Sequence, residues 1–400
     1  MQEAPHPNKL RTLLAVAGLN QREAARESGI PEGTLRHYVS GEQVIPRRDR
    51  IRLAQVIGCD TQELAPQYDT QQEAQDKQIL RRTMRNRSIK KSLAFEEWNG
   101  CFSFGRLKTS TMVLDGDGEE VYLPANIHTH YDPQPAVFFD EIMQEKRLIE
   151  IEQEEKQRKG EPYQWNGEKY HLSRIVISRE PVHEHMTLGL WLKPRDHYTG
   201  LATRRCLDNP IFRQKYVPND WSMPVVGMSC SLGVDITVIS ADGYVFLTQR
   251  GQHQSVYPNI FHSSVSEAVN PSLDRSSNGR EPDLYRCACR GISEELGIHE
   301  PLDFSLSDIL FLSFSVDTHY ALYGLRGMVK VNKGAEEILA NWQAGVKDKI
   351  ENQRLLAIPF TPEDVCEFVF SQGSCGLIGI YHALVHEFGR ERVNRVVFSH

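Results

Sequence analysis

Gln21-Arg22-Glu23-Ala24-Ala25-Arg26-Glu27-Ser28-Gly29-Ile30-Pro31-Glu32-Gly33-Thr34-Leu35-Arg36-His37-Tyr38 is the stretch on which the reading of the chain turns. A short polar helix over about Gln21–Ser28 stops at Gly29. A second begins after Ile30, with Pro31 suited to a first helical turn, where a missing N–H is no loss. Ala24 and Ala25 are small enough to let the helix pair approach closely, and Ile30 and Leu35 fill the seam. Upstream, Leu10, Leu13 and Leu14 put an apolar stripe on a first helix. Downstream, Ile51, Leu53, Ala54, Ile57 and Leu64 supply later helices that close the core. Residues 8–65 therefore carry the period of a domain of about five helices.

Two short helices joined by a Gly-containing turn form a helix-turn-helix. The sharp crossing leaves the second helix free to enter the major groove of DNA. Over about residues 8–65 the chain resembles the Cro/repressor (XRE-type) family. The matching features are Gln21 opening the second helix, the Ala24-Ala25 pair, Gly29-Ile30, Leu35, Tyr38, Gly41, Pro46 and Leu53-Ala54. The resemblance implies that the third helix reads bases, with Glu32, Gly33, Thr34, Arg36 and His37 facing the groove. It also implies that Gln21 holds a phosphate at the start of the second helix. Chemically, Arg36 can fork onto guanine, and Thr34 can touch a base or a thymine methyl. Arg22, Arg47, Arg48, Arg50 and Arg52 are candidate phosphate contacts, which position without specifying; each also reads as a merely solvated charge. Modules of this kind sometimes serve as protein docking units instead. Because repressor-type modules bind twofold sites, a homodimer on half-sites one helical turn apart is expected.

Bulk charge agrees with a DNA contact at one end. The net charge is −7, but residues 1–91 hold 16 Lys+Arg against 11 Asp+Glu, and the remainder holds 30 against 42. A basic head on an acidic body argues against DNA wrapping around the rest of the protein. Four hundred residues suggest about two or three domains. The eight cysteines include no Cys-x-x-Cys pair. Cys287 and Cys289, two apart on a predicted helix, point about 200° away from each other, so buried thiols are expected there rather than zinc ligands. No signal peptide and no run of transmembrane length is recognised, so the expectation is a cytoplasmic protein with no membrane partner.

Between the head and the C-terminal half, strands are expected at Val121–Leu123, 170–178 and 186–192. A charged helix is expected over about Phe138–Lys159, with Glu152/Lys156, Glu154/Arg158 and Glu155/Lys159 four apart. His183-Glu184-His185 on a strand puts both imidazoles on one side, and Asn126, His128 and His130 alternate similarly. Either is a possible metal pair or a polar turn, and neither has a recognisable third ligand.

In the C-terminal half, strands at Val234–Ile239 and Tyr244–Arg250 flank the turn Asp242-Gly243, and Phe261–Val269 reads as a third. A helix over about Asp283–Leu296 stops at Gly297. Strands resume at 309–316 and 320–331, and helices near 362–370 and 375–388 finish the chain. Here Arg290-Gly291-Ile292-Ser293-Glu294-Glu295-Leu296-Gly297-Ile298 resembles the second half of the Nudix box, Gly-x5-Glu-x7-Arg-Glu-U-x-Glu-Glu-x-Gly-U with U aliphatic. The resemblance covers about residues 230–388. It implies Mg²⁺ held by helix carboxylates, with Glu294 and Glu295 as metal ligands, neutralising a diphosphate while water attacks. Gly291 stands where the family places a key Glu. The upstream Gly-x5-Glu is replaced by a polar insertion over about 270–281. Arg290 and Glu294 are four apart, so a structural ion pair is available without catalysis.

The expected architecture is multidomain: an all-α helix-turn-helix head at 8–66, a basic linker at 67–92, an α+β intermediate region at 93–225 and a Nudix-like α/β/α domain at 226–400. The expected function is a DNA-binding transcription regulator whose Nudix-like domain senses a nucleotide or phosphorylated metabolite, with no catalytic residue assigned. An alternative is a Mg-dependent Nudix hydrolase of nucleoside-diphosphate-linked compounds that carries a DNA-binding domain. A third reading draws on the isopentenyl diphosphate isomerase branch: His262 lies in the corresponding strand, but Ser263 and Ser264 follow where its cysteine is wanted.

Overall fold

The computed structural model describes residues 10–40, 45–59, 64 and 101–399, apart from Val182, His253, Ser255, Ser277, Asn278, Arg280 and 347–351. The chain divides into two compact units, residues 1–84 and 85–400. In the first, α1 (Leu10–Val16), α2 (Gln21–Ser28), α3 (Glu32–Ser40) and α4 (Arg47–Ile57) enclose one core. Its buried members include Leu10, Leu14, Ala24, Ala25, Ile30, Leu35, Tyr38, Leu53, Ala54 and Leu64. Asn20 caps α2 reciprocally. Its Oδ1 accepts from the Glu23 N–H at 2.9 Å, and the Glu23 carboxylate accepts from the Asn20 N–H at 3.0 Å. Gly29 ends α2 at φ 67°, a left-handed conformation that a side chain resists, and so sets the turn into α3. The Tyr38 hydroxyl donates to Asp49 at 2.9 Å and ties α3 to α4. Burial, then that carboxylate, pushes the phenol up to about 12. Ile51, expected in the core, is 42% exposed, because the period of α4 turns Leu53 and Ala54 inward instead. The expected fifth helix and the basic linker at 67–92 lie outside the described residues.

The second unit is built on an eight-stranded sheet. Its strands are β3 (Thr111–Asp115), β7 (Ser231–Ile239), β8 (Tyr244–Arg250), β9 (Phe261–His262), β10 (Val265–Ala268), β11 (Leu310–Asp317), β12 (Leu322–Lys330) and β13 (Asn352–Pro359). The order is β13-β8-β7-β12-β11-β3, with β10 on β7 and β9 on β8. Alternation along β7 sends Val234, Ile236 and Val238 to one face and Asp235 and Thr237 to the other. On the apolar face sit α8 (Leu284–Leu296) and α9 (Ala335–Ala344), through Cys287, Ala288, Ile292 and Ile338. On the other sit α10 (Pro362–Gln372), α11 (Leu377–Phe388) and α12 (Arg390–Val397), through Val365, Ile380, Leu384 and Val393. The result is a three-layer α/β/α stack. A hairpin of β1 (Ser103–Phe104) and β2 (Leu107–Lys108) precedes β3.

A second sheet of three strands runs β4 (Ile127–Tyr131), β6 (Met186–Asp196), β5 (Glu168–Arg179). Around it lie α5 (Asp140–Lys159), α6 (His197–Asp208) and α7 (Pro210–Tyr216). On α5 the expected pairs Glu152–Lys156 (2.8 Å) and Glu155–Lys159 (2.7 Å) form. Ile142 and Ile149 are buried, whereas Leu148 and Ile151 are exposed.

The strands depart from the sequence reading as follows. Residues 121–123 form no strand; Tyr122 makes a single bridge to Phe311, and β3 supplies the edge strand instead. Residues 261–269 hold two strands, because β9 follows β8 and β10 follows β7. Packing is continuous across the expected boundary at 225/226. Residues on both sides share the eight-stranded sheet and one core, from Met112 and Ile142 through Ile236 to Leu355. No described helix is long and apolar enough to cross a membrane.

Among the described residues, three histidines are buried uncharged. Burial holds His171 down to about 4 and His262 and His382 down to about 3. The His382 Nδ1 lies 2.7 Å from Ser313 Oγ, and the His171 Nδ1 accepts from the Cys230 N–H at 3.2 Å. In the unfolded chain each takes up a proton near pH 6.5, which the folded protein refuses until its depressed pKa is reached. Stability is therefore unaffected above that range and falls as pH drops from about 6.5, by ~1.4 kcal/mol per pH unit for each such histidine. Urea unfolding at pH 7, 6, 5 and 4 checks this: His382→Gln is expected to flatten the decline by about one histidine's share.

Candidate nucleic-acid interface and the carboxylate helix

The α3 helix has one wet face and one dry face. Glu32, Gly33, Arg36 and His37 are exposed, while Leu35, Tyr38 and Val39 are buried against the domain core. Thr34 sits half-buried at the boundary. Those exposed positions follow helical spacing and form one strip, so the local period alone presents them together. Glu32 lies 3.6 Å from Arg36 and 3.8 Å from Arg22. Both pairs are exposed, so they hold the guanidiniums weakly and leave them able to turn to another acceptor. An atom added at the Gly33 Cβ position would meet nothing within 4 Å, so the space beside the strip is open there. Gln21 is half-buried at the first position of α2, beside the Asn20 cap. Of the other arginines, Arg22 and Arg48 are exposed, and Arg52 lies 3.9 Å from Asp49. Arg50 is half-buried with no hydrogen-bond partner at Nε among the described residues. The Arg47 side chain lies outside what is described. Sequence reasoning passed over the Asn20 cap, although Asn-x-x-Glu before an apolar run is its signature.

On α8, Glu294 and Glu295 share one helix but face different partners. Glu295 is 6% exposed; it accepts from the Ser266 N–H at 3.0 Å and from Asn352 Nδ2 at 2.9 Å. Glu294 lies 3.1 Å from the Arg290 guanidinium. Arg290 also reaches Glu267 at 3.1 Å and grips Asp274 with two bonds of 2.8 Å. Burial lowers the Arg290 pKa, but Asp274 and Glu267 outweigh it and hold the group above its ordinary value. A Cβ at Gly291 would come within 2.7 Å of Val265 Cγ1 and 3.0 Å of Glu267 Cβ, so the residue is small because α8 lies hard against β10. Among the described residues no group of three or more His, Cys, Asp and Glu is arranged to hold a metal ion. His183 and His185 stand 5.7 Å apart, ring to ring, in the turn before β6, and His130 stacks on Trp191 at 4.5 Å. Cys287 is buried and Cys289 half-buried, both as free thiols.

With this geometry in place, comparison with known proteins gives a defined answer for the first unit. Residues 8–67 match a helix-turn-helix domain family. The N-terminal unit thus carries a DNA-binding helix-turn-helix, in the segment where the Gly29 turn and the α3 strip lie. No curated protein matches the chain. Among solved structures, DR0079 from Deinococcus radiodurans is similar at 18% identity, over 29% of this chain and 74% of that one, with a TM-score of 0.17.

Removing Arg290 tests its part in seating α8. Asp274 is 0% exposed and would keep a buried charge without a cation. Arg290→Met is expected to lose about 3–5 kcal/mol in urea unfolding at pH 7; a loss under 1 kcal/mol would show that the carboxylates do not depend on it.

Proposed function

We propose that this chain is a transcription regulator. Its helix-turn-helix binds double-stranded DNA as a homodimer of the XRE type, and its second unit, a Nudix-like domain, senses a nucleotide or phosphorylated metabolite without hydrolysing it. The observation that carries the reading is the α3 strip in a matched helix-turn-helix: Glu32, Gly33, Arg36 and His37 exposed, with Thr34 at its edge. The excess of basic residues in the first 91 positions supports a phosphate-facing head on a body that repels DNA. Two observations favour sensing over hydrolysis. Glu294 and Glu295 are engaged by Arg290, Ser266 and Asn352, and the close seat of α8 on β10 leaves no room for a carboxylate at Gly291. The reading therefore gives Mg²⁺ no part.

Duplexes selected from a random library by the full-length protein supply the DNA for a mobility-shift test. Arg36→Ala is expected to weaken the selected site about tenfold or more and to relax preference at one base position, as loss of a bidentate base contact does. Affinity should fall linearly on a log–log plot against salt, and Arg48→Ala should reduce that slope by about one. Undiminished binding by Arg36→Ala removes α3 from the groove; a flat salt response removes the basic head from the argument.

A further inference from the structure

The eight-stranded sheet splits at one end. Strands β7 and β8 pair only at Ile239–Val245; beyond it β10 lies on β7 and β9 on β8. Arg250 ends β8 on the side to which the split opens, and β7 begins there at Ser231. The β11–β12 turn lies at the same end, since Leu322 is in register with Ser231. Helices α6 and α7 pack here: Arg195, just before α6, donates to Ser231 Oγ at 2.7 Å, and Arg213 of α7 donates to the Thr318 and His319 carbonyls at 3.2 and 3.1 Å. Arg204 lies one turn along α6 from Gly200, against which Arg195 packs, and so shares its face.

Arg204 and Arg250 differ from Arg195, Arg326 and Arg290. Arg195 donates to the Tyr170 and Asp196 carbonyls and to Ser231. Arg326 pairs with Asp235 and Ser315, and Arg290 with its carboxylates. The Nε atoms of both Arg204 and Arg250 are buried with no hydrogen-bond partner among the described residues. Among the described residues, the Arg250 side chain makes one long bond, 3.4 Å, to Gln254, and none is found for Arg204. The nearby carboxylates are engaged elsewhere. Asp317 accepts from Ser110 at 2.9 Å, from Tyr257 at 2.5 Å and from the His319 N–H at 2.9 Å, and Asp208 lies 3.8 Å from His319. Burial, opposed by Tyr320 and reinforced by the Arg250 charge, draws the Arg204 pKa down to about 10, so Arg204 stays charged at neutral pH. Both side chains are half-buried, and two like charges near one another with no counter-ion favour an anion that completes them.

We propose that Arg204 and Arg250 together bind the phosphoryl group of a small metabolite at the split end of the sheet. Two planar forks match a dianion that offers three oxygens better than a single carboxylate. The proposal names the ligand chemistry of the sensing reading and rests on it.

The test uses the full-length protein without DNA. Thermal unfolding is followed in chloride buffer of fixed ionic strength with inorganic phosphate, pyrophosphate or AMP added. A ligand at a hundredfold excess over its Kd should raise the Tm by about 4 °C. A rise with the free ions alone assigns the site to inorganic phosphate, and a larger rise with AMP to an organic phosphate; either supports the proposal. Arg204→Gln and Arg250→Gln should each abolish the rise. Arg204→Lys, which keeps the charge and loses the fork, should reduce it and guards against a variant that fails to fold. No rise with any of the probes overturns the proposal, as does a full rise in all of the variants. Mobility shifts on the same preparations separate the two readings: DNA binding with no phosphate response sinks the site alone, and a phosphate response with no DNA binding sinks the regulator alone.

Discussion

The seat of α8 depends on the guanidinium of Arg290. Glu267 on β10, Asp274 in the following segment and Glu294 on α8 would repel one another if brought together unaided. Arg290 lies within 3.1 Å of all three and turns that repulsion into a clamp. Because Asp274 is fully buried, its charge is tolerated only in the presence of the cation. The adjacent Gly291 is what allows the clamp to close, since any side chain there would strike Val265 and Glu267. Helix, strand and following segment are thereby fixed as one piece. The acidic face that resembles a metal-binding helix is organised around an internal cation supplied by the chain.

What could be read from sequence was what is local. The helix-turn-helix rests on short-range features: Gly29 as a left-handed stop, the Ala24-Ala25 pair, and Leu35 and Tyr38 at helical spacing. Strands β7 and β8 around Asp242-Gly243 were legible for the same reason. The β3 and β13 strands were not, because neither has a clean alternation of its own and each is defined by a partner far along the chain. Helix α6 was hidden by Gly200 and by β-branched Thr199 and Thr203, which are weak helix formers. Here the Arg195 guanidinium lies where a Gly200 side chain would stand.

The candidate sites divide along the same line. The α3 strip lies on one helix, and its residues were named from the resemblance to the Cro/repressor family, with helical spacing placing them side by side. Glu294 and Glu295 were found by motif and the Arg290–Glu294 pair by its spacing, but the other partners of this cluster were not. Glu267 and Asp274, which share Arg290 with Glu294, and Ser266 and Asn352, which donate to Glu295, come from other segments, and only the fold shows both carboxylates already engaged. Arg204 and Arg250 carry no spacing signal at all. What marks them is a missing acceptor, which is visible only after every neighbouring carboxylate has been assigned.

That contrast bears on how a ligand in the second unit would act. A ligand shifts an equilibrium only by the difference in its affinity for the two states. The clamp around Arg290 offers little difference, because its charges are already compensated. The α6 end of the sheet offers more: an uncompensated pair of cations is unfavourable in the closed arrangement and is relieved by an anion that bridges α6 and β8. Neutralising them strengthens the attachment of α6 to the sheet, and α6 continues directly from β6 of the three-stranded sheet. The segment most responsive to an anion is therefore the one joining the two sheets of the second unit, and any coupling to DNA affinity must be reciprocal, with DNA altering anion affinity by the same factor.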